Sequence, residues 1–152
     1  MKRLWKLLVL LTTSFIPSHQ LLFVPNTAEE LRIIEQSCVK LLLQPAIFWY
    51  RYLNLEYPDD PITHCHIRCL LIAAGLYEDD YGANLDNLFE QHQLDTPLNR
   101  AEWLEAKTLC LAKQFANGLP DDLCKRSYMT FKCFEIEYLI AVTRLDSDTI
   151  IG

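Results

Sequence analysis

Cys38, Cys65, Cys69, Cys110, Cys124 and Cys133 are the residues of this 152-residue chain whose type and spacing most constrain its chemistry. An even set of thiols in a chain of this size is the pattern of a disulfide framework built in an oxidising compartment. Six thiols allow fifteen pairings, and the spacing alone leaves all of them open. A bridge closing a loop of a few tens of residues contributes about 2–4 kcal/mol. Against a typical total stability of about 5–15 kcal/mol, three such bridges decide whether the chain folds.

Cys65 and Cys69 are four apart, so on a helix they share a face and can fix that helix to two different neighbours. Just upstream, Trp49, Tyr50 and Tyr52 place three aromatics within four residues. An aromatic wall beside a doubly stapled helix points to a rigid container for an apolar guest. Trp49 and Tyr52 are the candidate contacts, His66 a polar group of the pocket and Phe89 a further wall. Arg51, Arg68 and Lys132 are candidate cations for an acidic ligand head.

Other chemistries fit less well. In His64-Cys65-His66 the two imidazoles point to opposite sides of a helix, and Cys65 is needed for a bridge, so neither a metal nor a cofactor is expected. No Ser-His-Asp set stands in a recognisable context, and no glycine-rich loop cradles phosphate. A His-Asp pair beside a cysteine with a glycine-rich calcium loop, which a secreted phospholipase needs, is missing. With every thiol committed, a cysteine nucleophile is excluded as well. The chain reads as non-enzymatic.

The elements that must position these residues are helical. Thr27 with Glu30 forms a capping box, followed by Leu31, Ile34, Cys38, Leu41 and Leu42 at helical spacing. Pro45 ends this helix near Leu43. Ala46 to Asn54 forms a second, aromatic helix. Asp60 and Pro61 start a third, which Gly75 stops, with Cys65, Cys69, Ile72 and Leu76 on one face. The acidic stretch Glu78 to Gly82 is a loop. Asn84 to Gln91 is a short helix with Leu85, Leu88 and Phe89 inward. Asn99 with Glu102 opens a helix to about Asn117, burying Trp103, Leu104, Cys110 and Leu111 while Lys107 snorkels. Gly118-Leu119-Pro120 stops it, and Asp121 caps a last helix running through Cys124 and Cys133 to about Arg144. The apolar stretch Phe134 to Val142 either extends that helix or plugs the pocket mouth. No alternation supports a strand. The expected fold class is all-α, with about six helices around an internal apolar pocket and three disulfides.

Residues 1–18 read as a secretory signal, with Lys2, Arg3 and Lys6 before the apolar run Leu7 to Leu11. That run is too short to span a bilayer. Cleavage is expected near Ser18, leaving residues 19–152 as one domain in the extracellular space. Its loss removes three of the 14 basic residues and none of the 20 acidic ones, leaving a net charge of −9. Such a surface excludes nucleic acid and anionic membranes as main partners. It suits a monomer in a secreted fluid. No N-x-S/T sequon is present.

The gaps between successive cysteines are 26, three, 40, 13 and eight residues. This spacing resembles the insect odorant-binding protein family, whose hallmark is three residues between the second and third cysteines and eight between the fifth and sixth. The resemblance covers essentially the whole mature chain. It implies the pairing Cys38–Cys69, Cys65–Cys124 and Cys110–Cys133. Within the superfamily, WYRYLNLEYPDDPITHCHIRCLLIAAGLY looks most like the amino-terminal domain of the D-seven salivary proteins of blood-feeding flies. Trp49 and Tyr52 fall on their aromatic pair, and Thr63, Cys65, Cys69, Gly75 and Tyr77 on the rest of the segment. Where the family often has Tyr, this chain has His66.

That resemblance implies a salivary scavenger of host eicosanoids, leukotrienes or thromboxane analogues, rather than of biogenic amines. A tail of about 15 methylene-sized groups at about 0.8 kcal/mol each yields a gross gain of about 12 kcal/mol. Association costs at least about 4 kcal/mol of it. Nanomolar binding, about −12 kcal/mol, therefore needs a cation on the carboxylate as well. An amine would need buried carboxylates around an aromatic box, whereas Glu78, Asp79, Asp80, Asp121 and Asp122 occupy loop and cap positions. Two alternatives share the chain: an odorant or pheromone carrier of sensory fluid, and an inhibitor of a host haemostatic protein acting through its acidic surface.

Overall fold

Side-chain caps open five of the seven helices in the computed structural model, which describes residues 22–144. The expected leader and its cleavage site lie outside those residues. Thr27 Oγ1 accepts the Glu30 amide at 3.2 Å while the Glu30 carboxylate accepts the Thr27 amide at 2.7 Å, starting α1 (Ala28–Leu41). α2 (Ala46–Leu53) follows Pro45. Asp60 caps α3 (Pro61–Ala73) by accepting the Thr63 amide at 2.8 Å. Asn84 caps α4 (Leu85–His92), and a second reciprocal box, Asn99 with Glu102, opens α5 (Arg100–Gln114). α6 (Leu123–Phe131) and α7 (Glu135–Thr143) complete the fold.

Among the described residues the fold is all-α apart from one hairpin. β1 (Tyr77–Glu78) pairs with β2 (Gly82–Ala83), Tyr77 opposite Ala83 and Glu78 opposite Gly82. The acidic stretch expected as a plain loop is thus the turn of a hairpin. Gly82, at φ 80°, supplies a conformation that residues with a Cβ avoid.

The last helix also differs from expectation. Asp122, not Asp121, caps it, and it breaks after Phe131 instead of running on. In an unbroken helix the Cys133 carbonyl would accept the amide of Glu137. Here the Lys107 ammonium takes that carbonyl at 2.7 Å and also pairs with the Glu137 carboxylate. Phe131 and Phe134, on either side of the break, are both buried and meet edge-on, with centroids 5.7 Å apart. α7 extends the chain as a separate helix and buries Tyr138, Ala141 and Val142.

The three disulfides join Cys38 to Cys69, Cys65 to Cys124 and Cys110 to Cys133. α3 is therefore bound to α1 and to α6 from two positions four residues apart. The cysteines sit on its flank, and its fully covered face carries Thr63, His66, Ile67, Leu70 and Leu71. α1 is rotated relative to its apolar pattern. Leu31, Glu35, Cys38 and Val39 are buried, whereas Leu41 and Leu42 are exposed because the chain turns away at Leu43, which takes a left-handed conformation (φ 50°). Leu55, after α2, does the same (φ 62°).

The Cys65–Cys124 bridge spans 59 residues and joins the most extensively packed helix pair, α3 and α6, whereas Cys110–Cys133 spans 23. The loop-entropy relation assigns them about 4.3 and about 3.4 kcal/mol. Cys65→Ala/Cys124→Ala is thus expected to lose about 1 kcal/mol more than Cys110→Ala/Cys133→Ala in urea denaturation. The reverse order would show that local packing, not chain entropy, sets their contributions.

Candidate ligand-binding site

Trp49 is half-buried on α2 and separates two clefts. One, of about 440 Å³, lies between α1, α2 and α7, with Ile33, Trp49, Leu53, Leu55 and Val142 as apolar walls and Glu29, Arg32, Gln36 and Thr143 as polar ones. The other, of about 500 Å³, is shallower and lined by Val39, Leu43, Gln44 and Trp49. A larger cavity of about 590 Å³ at the start of α1 is lined by Asn26, Glu29, Glu90, Gln91 and Arg144 among others. Pro25, Ala28, Leu94 and Ala141 also line it. The cleft between α1, α2 and α7 is the better candidate because it backs onto the aromatic centre of the molecule.

That centre is filled with rings. One turn beyond Trp49, Tyr52 is fully buried, its ring stacked against His66 at 3.9 Å between centroids and against Tyr57 at 5.5 Å. Tyr57 meets Phe131 and Tyr138 edge-on. The Tyr52 hydroxyl lies 3.4 Å from Thr63 Oγ1, and burial pushes its pKa up to about 12. His66 is fully buried, and neither ring nitrogen has a hydrogen-bond partner. Loss of hydration pushes its pKa down to about 3, so the imidazole is neutral.

A charged pair crosses from cleft to centre. Arg32 Nη1 donates to the Glu35 carboxylate at 2.9 Å and to the Tyr52 carbonyl at 3.1 Å. Glu35 is fully buried and accepts the Tyr57 hydroxyl. Burial raises its pKa, while the hydrogen bond from Tyr57 and the Arg32 charge oppose the rise. Glu35 stands four residues after Leu31 and three before Cys38, so its place on the buried face was readable from spacing. Arg32, Tyr57 and Val142 carry no comparable signal, because each reaches the site only through tertiary packing.

The structure brings Tyr52 and His66 into contact and sets Trp49 on the same helix at the cleft. The other candidates lie apart. Phe89 packs edge-on to Trp103 at 5.6 Å, with Arg100 over its outer face at 5.1 Å. Arg51 is exposed, 5.4 Å over the Phe48 ring. Lys132 pairs with Glu135, and Arg68 is held by two hydrogen bonds from its guanidinium to Asp79. His64 and His66 diverge, His64 Nε2 reaching Asp59 at 2.6 Å. Among the described residues no cluster of His, Cys, Asp and Glu could hold a metal ion.

The buried imidazole has a measurable signature. The unfolded chain binds a proton at His66 near the ordinary value of 6.5, but the fold refuses it until about pH 3. Stability is therefore complete above pH 6.5 and falls as pH drops through that window, by about 1.4 kcal/mol per pH unit. His66→Phe keeps the stack on Tyr52 and removes this slope. Urea denaturation at pH 7, 6, 5 and 4 checks it, and equal slopes in the two proteins would show that His66 protonates freely.

Comparison with known proteins agrees with this architecture. Residues 22–137 match the model of the PBP/GOBP family. Odorant-binding protein 22 of Aedes aegypti is 31% identical over 115 residues, which cover 74% of this chain and 78% of that protein. General odorant-binding protein 99a of Drosophila melanogaster is 30% identical over 69 residues, 45% of this chain and 49% of that protein. Among solved structures, Anopheles gambiae odorant-binding protein 22a superposes with a TM-score of 0.61 at 29% identity, covering 74% of this chain and 94% of that one; it holds the odorant cyclohexanone. Family model, curated relative and fold agree: the chain belongs to the PBP/GOBP family, the insect odorant-binding proteins.

Proposed function

We propose that this protein is a secreted, monomeric carrier of a small neutral apolar molecule of the odorant class, held in the cleft between α1, α2 and α7. The observation that carries the reading is that cleft: apolar walls from Ile33, Trp49, Leu53 and Val142 in about 440 Å³, with the Tyr52–His66 stack behind. At the roughly 30 Å³ that a water-sized unit occupies in a liquid, it takes about fifteen heavy atoms. Filling it gains about 12 kcal/mol gross at about 0.8 kcal/mol per group. Less about 4 kcal/mol for association, this leaves about 8 kcal/mol, a micromolar complex. Such affinity suits a carrier that must release what it holds. The bound odorant in the related Anopheles structure supports the same ligand class.

The scavenger reading, a salivary protein sequestering an eicosanoid, makes two further demands. The roughly twenty-carbon chain exceeds the about fifteen heavy atoms of the cleft. Nanomolar retention also needs a cation for the carboxylate, but Arg68 is engaged by Asp79 and Lys132 by Glu135, and Arg32 already serves Glu35 and Tyr52. The geometry favours the neutral guest.

Calorimetric titration of the oxidised protein tests this with 1-dodecanol, a cysteinyl leukotriene and serotonin. Expected is one-to-one micromolar binding of dodecanol, weaker leukotriene binding and no heat from serotonin. Trp49→Ala is expected to weaken dodecanol at least tenfold, about 1.4 kcal/mol, in line with truncation of a buried tryptophan anchor. Nanomolar leukotriene binding would reverse the assignment in favour of the scavenger.

A further inference from the structure

The hairpin of β1 and β2 roofs a separate cavity of about 270 Å³ over the end of α5 and part of α6. Leu85, Leu111, Phe115 and Leu119 line it with hydrocarbon, and Tyr77 and Arg126 bring polar groups to the same cavity. Tyr77 is 2% exposed, yet its hydroxyl has no hydrogen-bond partner. A buried hydroxyl left unsatisfied costs about 1–3 kcal/mol, and the space that could hold its partner is this cavity. Burial also raises the Tyr77 pKa, keeping the group protonated and able to donate. Arg126 directs Nε and Nη2 to the Pro120 carbonyl at 3.1 and 2.8 Å, which leaves Nη1 as a second donor.

The charges around the cavity select the ligand. Asp79 lines it but is tied to Arg68, with Nε at 2.9 Å, so that pair cancels. Asp80, exposed on the hairpin turn, and Arg126 add one charge of each sign to its lining. An anionic ligand would meet Asp80, and a cationic one would meet Arg126. Both donors, Tyr77 and Arg126, call for an acceptor.

We propose that this cavity is a second binding site, distinct from the Trp49 cleft, for a small neutral molecule with one carbonyl-type oxygen on an apolar body. The oxygen accepts from the Tyr77 hydroxyl and from Arg126, and the body packs on Leu111 and Phe115. At roughly 30 Å³ per heavy atom the space holds about nine.

Acetophenone, with about that many heavy atoms, is the probe, and ethylbenzene, which lacks the oxygen, is the control. Amide shifts of residues 77–83 in the ¹⁵N-labelled, oxidised protein read this site, and the Trp49 indole reads the cleft. Acetophenone is expected to give saturable shifts at residues 77–83 that Tyr77→Phe weakens at least tenfold and Leu111→Trp, which fills the space, abolishes. Tyr77→Phe removes an unpartnered hydroxyl, so its thermal midpoint is expected to be unchanged or higher. Ethylbenzene is expected to bind the wild type and Tyr77→Phe alike, and Trp49→Ala to leave the hairpin shifts intact. A silent Trp49 indole beside saturating hairpin shifts would count against the cleft reading and for this site. Acetophenone shifts confined to Trp49, or undiminished at the hairpin in Tyr77→Phe, would overturn the proposal.

Discussion

Everything in this fold is referred to α3, a helix held on both flanks by covalent bonds and covered along one face by the core. Cys69 fixes it to α1 and Cys65 to α6, so its rotation and its translation are both set. With α3 immobile, the side chains on its inner face become fixed points of the interior: Thr63 under the Tyr52 hydroxyl, and His66 flat against the Tyr52 ring. A chain of this size has a modest core for its surface. Cross-links let it accept polar groups inside that the core alone would not tolerate.

Those polar groups are numerous and arranged by charge state. At the aromatic centre Arg32 pairs with Glu35, whose carboxylate is further satisfied by Tyr57. A second pair, Lys107 with Glu137, receives the Trp103 indole N–H at 3.3 Å. His66 carries no compensating partner and is neutral. The buried charges of the interior are thus paired, and Arg32 at the cleft is engaged by Glu35 and the Tyr52 carbonyl.

The local signals in the sequence survived folding well because they depend on near neighbours. Both capping boxes, the Asp60 cap and the Gly75 stop act within one turn, and the structure keeps them. The cysteine spacing carried long-range information that no hydrophobic pattern held, and through family resemblance it gave the pairing. What failed to show were decisions made between distant segments. The break after Phe131 depends on Lys107 capturing the Cys133 carbonyl, a contact spanning 26 residues. The hairpin depends on Gly82 and on two-residue strands too short for alternation to appear. For the site, Trp49, Tyr52 and His66 stood out by composition; Tyr52 and His66 stack on each other in the core, and Trp49 lines the cleft one turn away on α2. Arg51, Phe89 and Lys132 were chosen by type, and packing directs them elsewhere.

Among the described residues, α2 alone has a strained residue on each side. Leu43 and Leu55 both sit at positive φ, where a side chain with a Cβ costs of the order of 1–2 kcal/mol. The helix has eight residues, no side-chain cap at its start, no disulfide, and a single buried residue, Tyr52. Strain released on opening, together with few anchoring contacts, places its local unfolding free energy below that of the stapled helices. α2 also supplies Trp49 to the cleft wall. For a guest held in that cleft, as proposed, residence time is set by the excursions of one short helix, and Leu55, which also lines the cleft, ties the strain at the end of that helix to the wall itself.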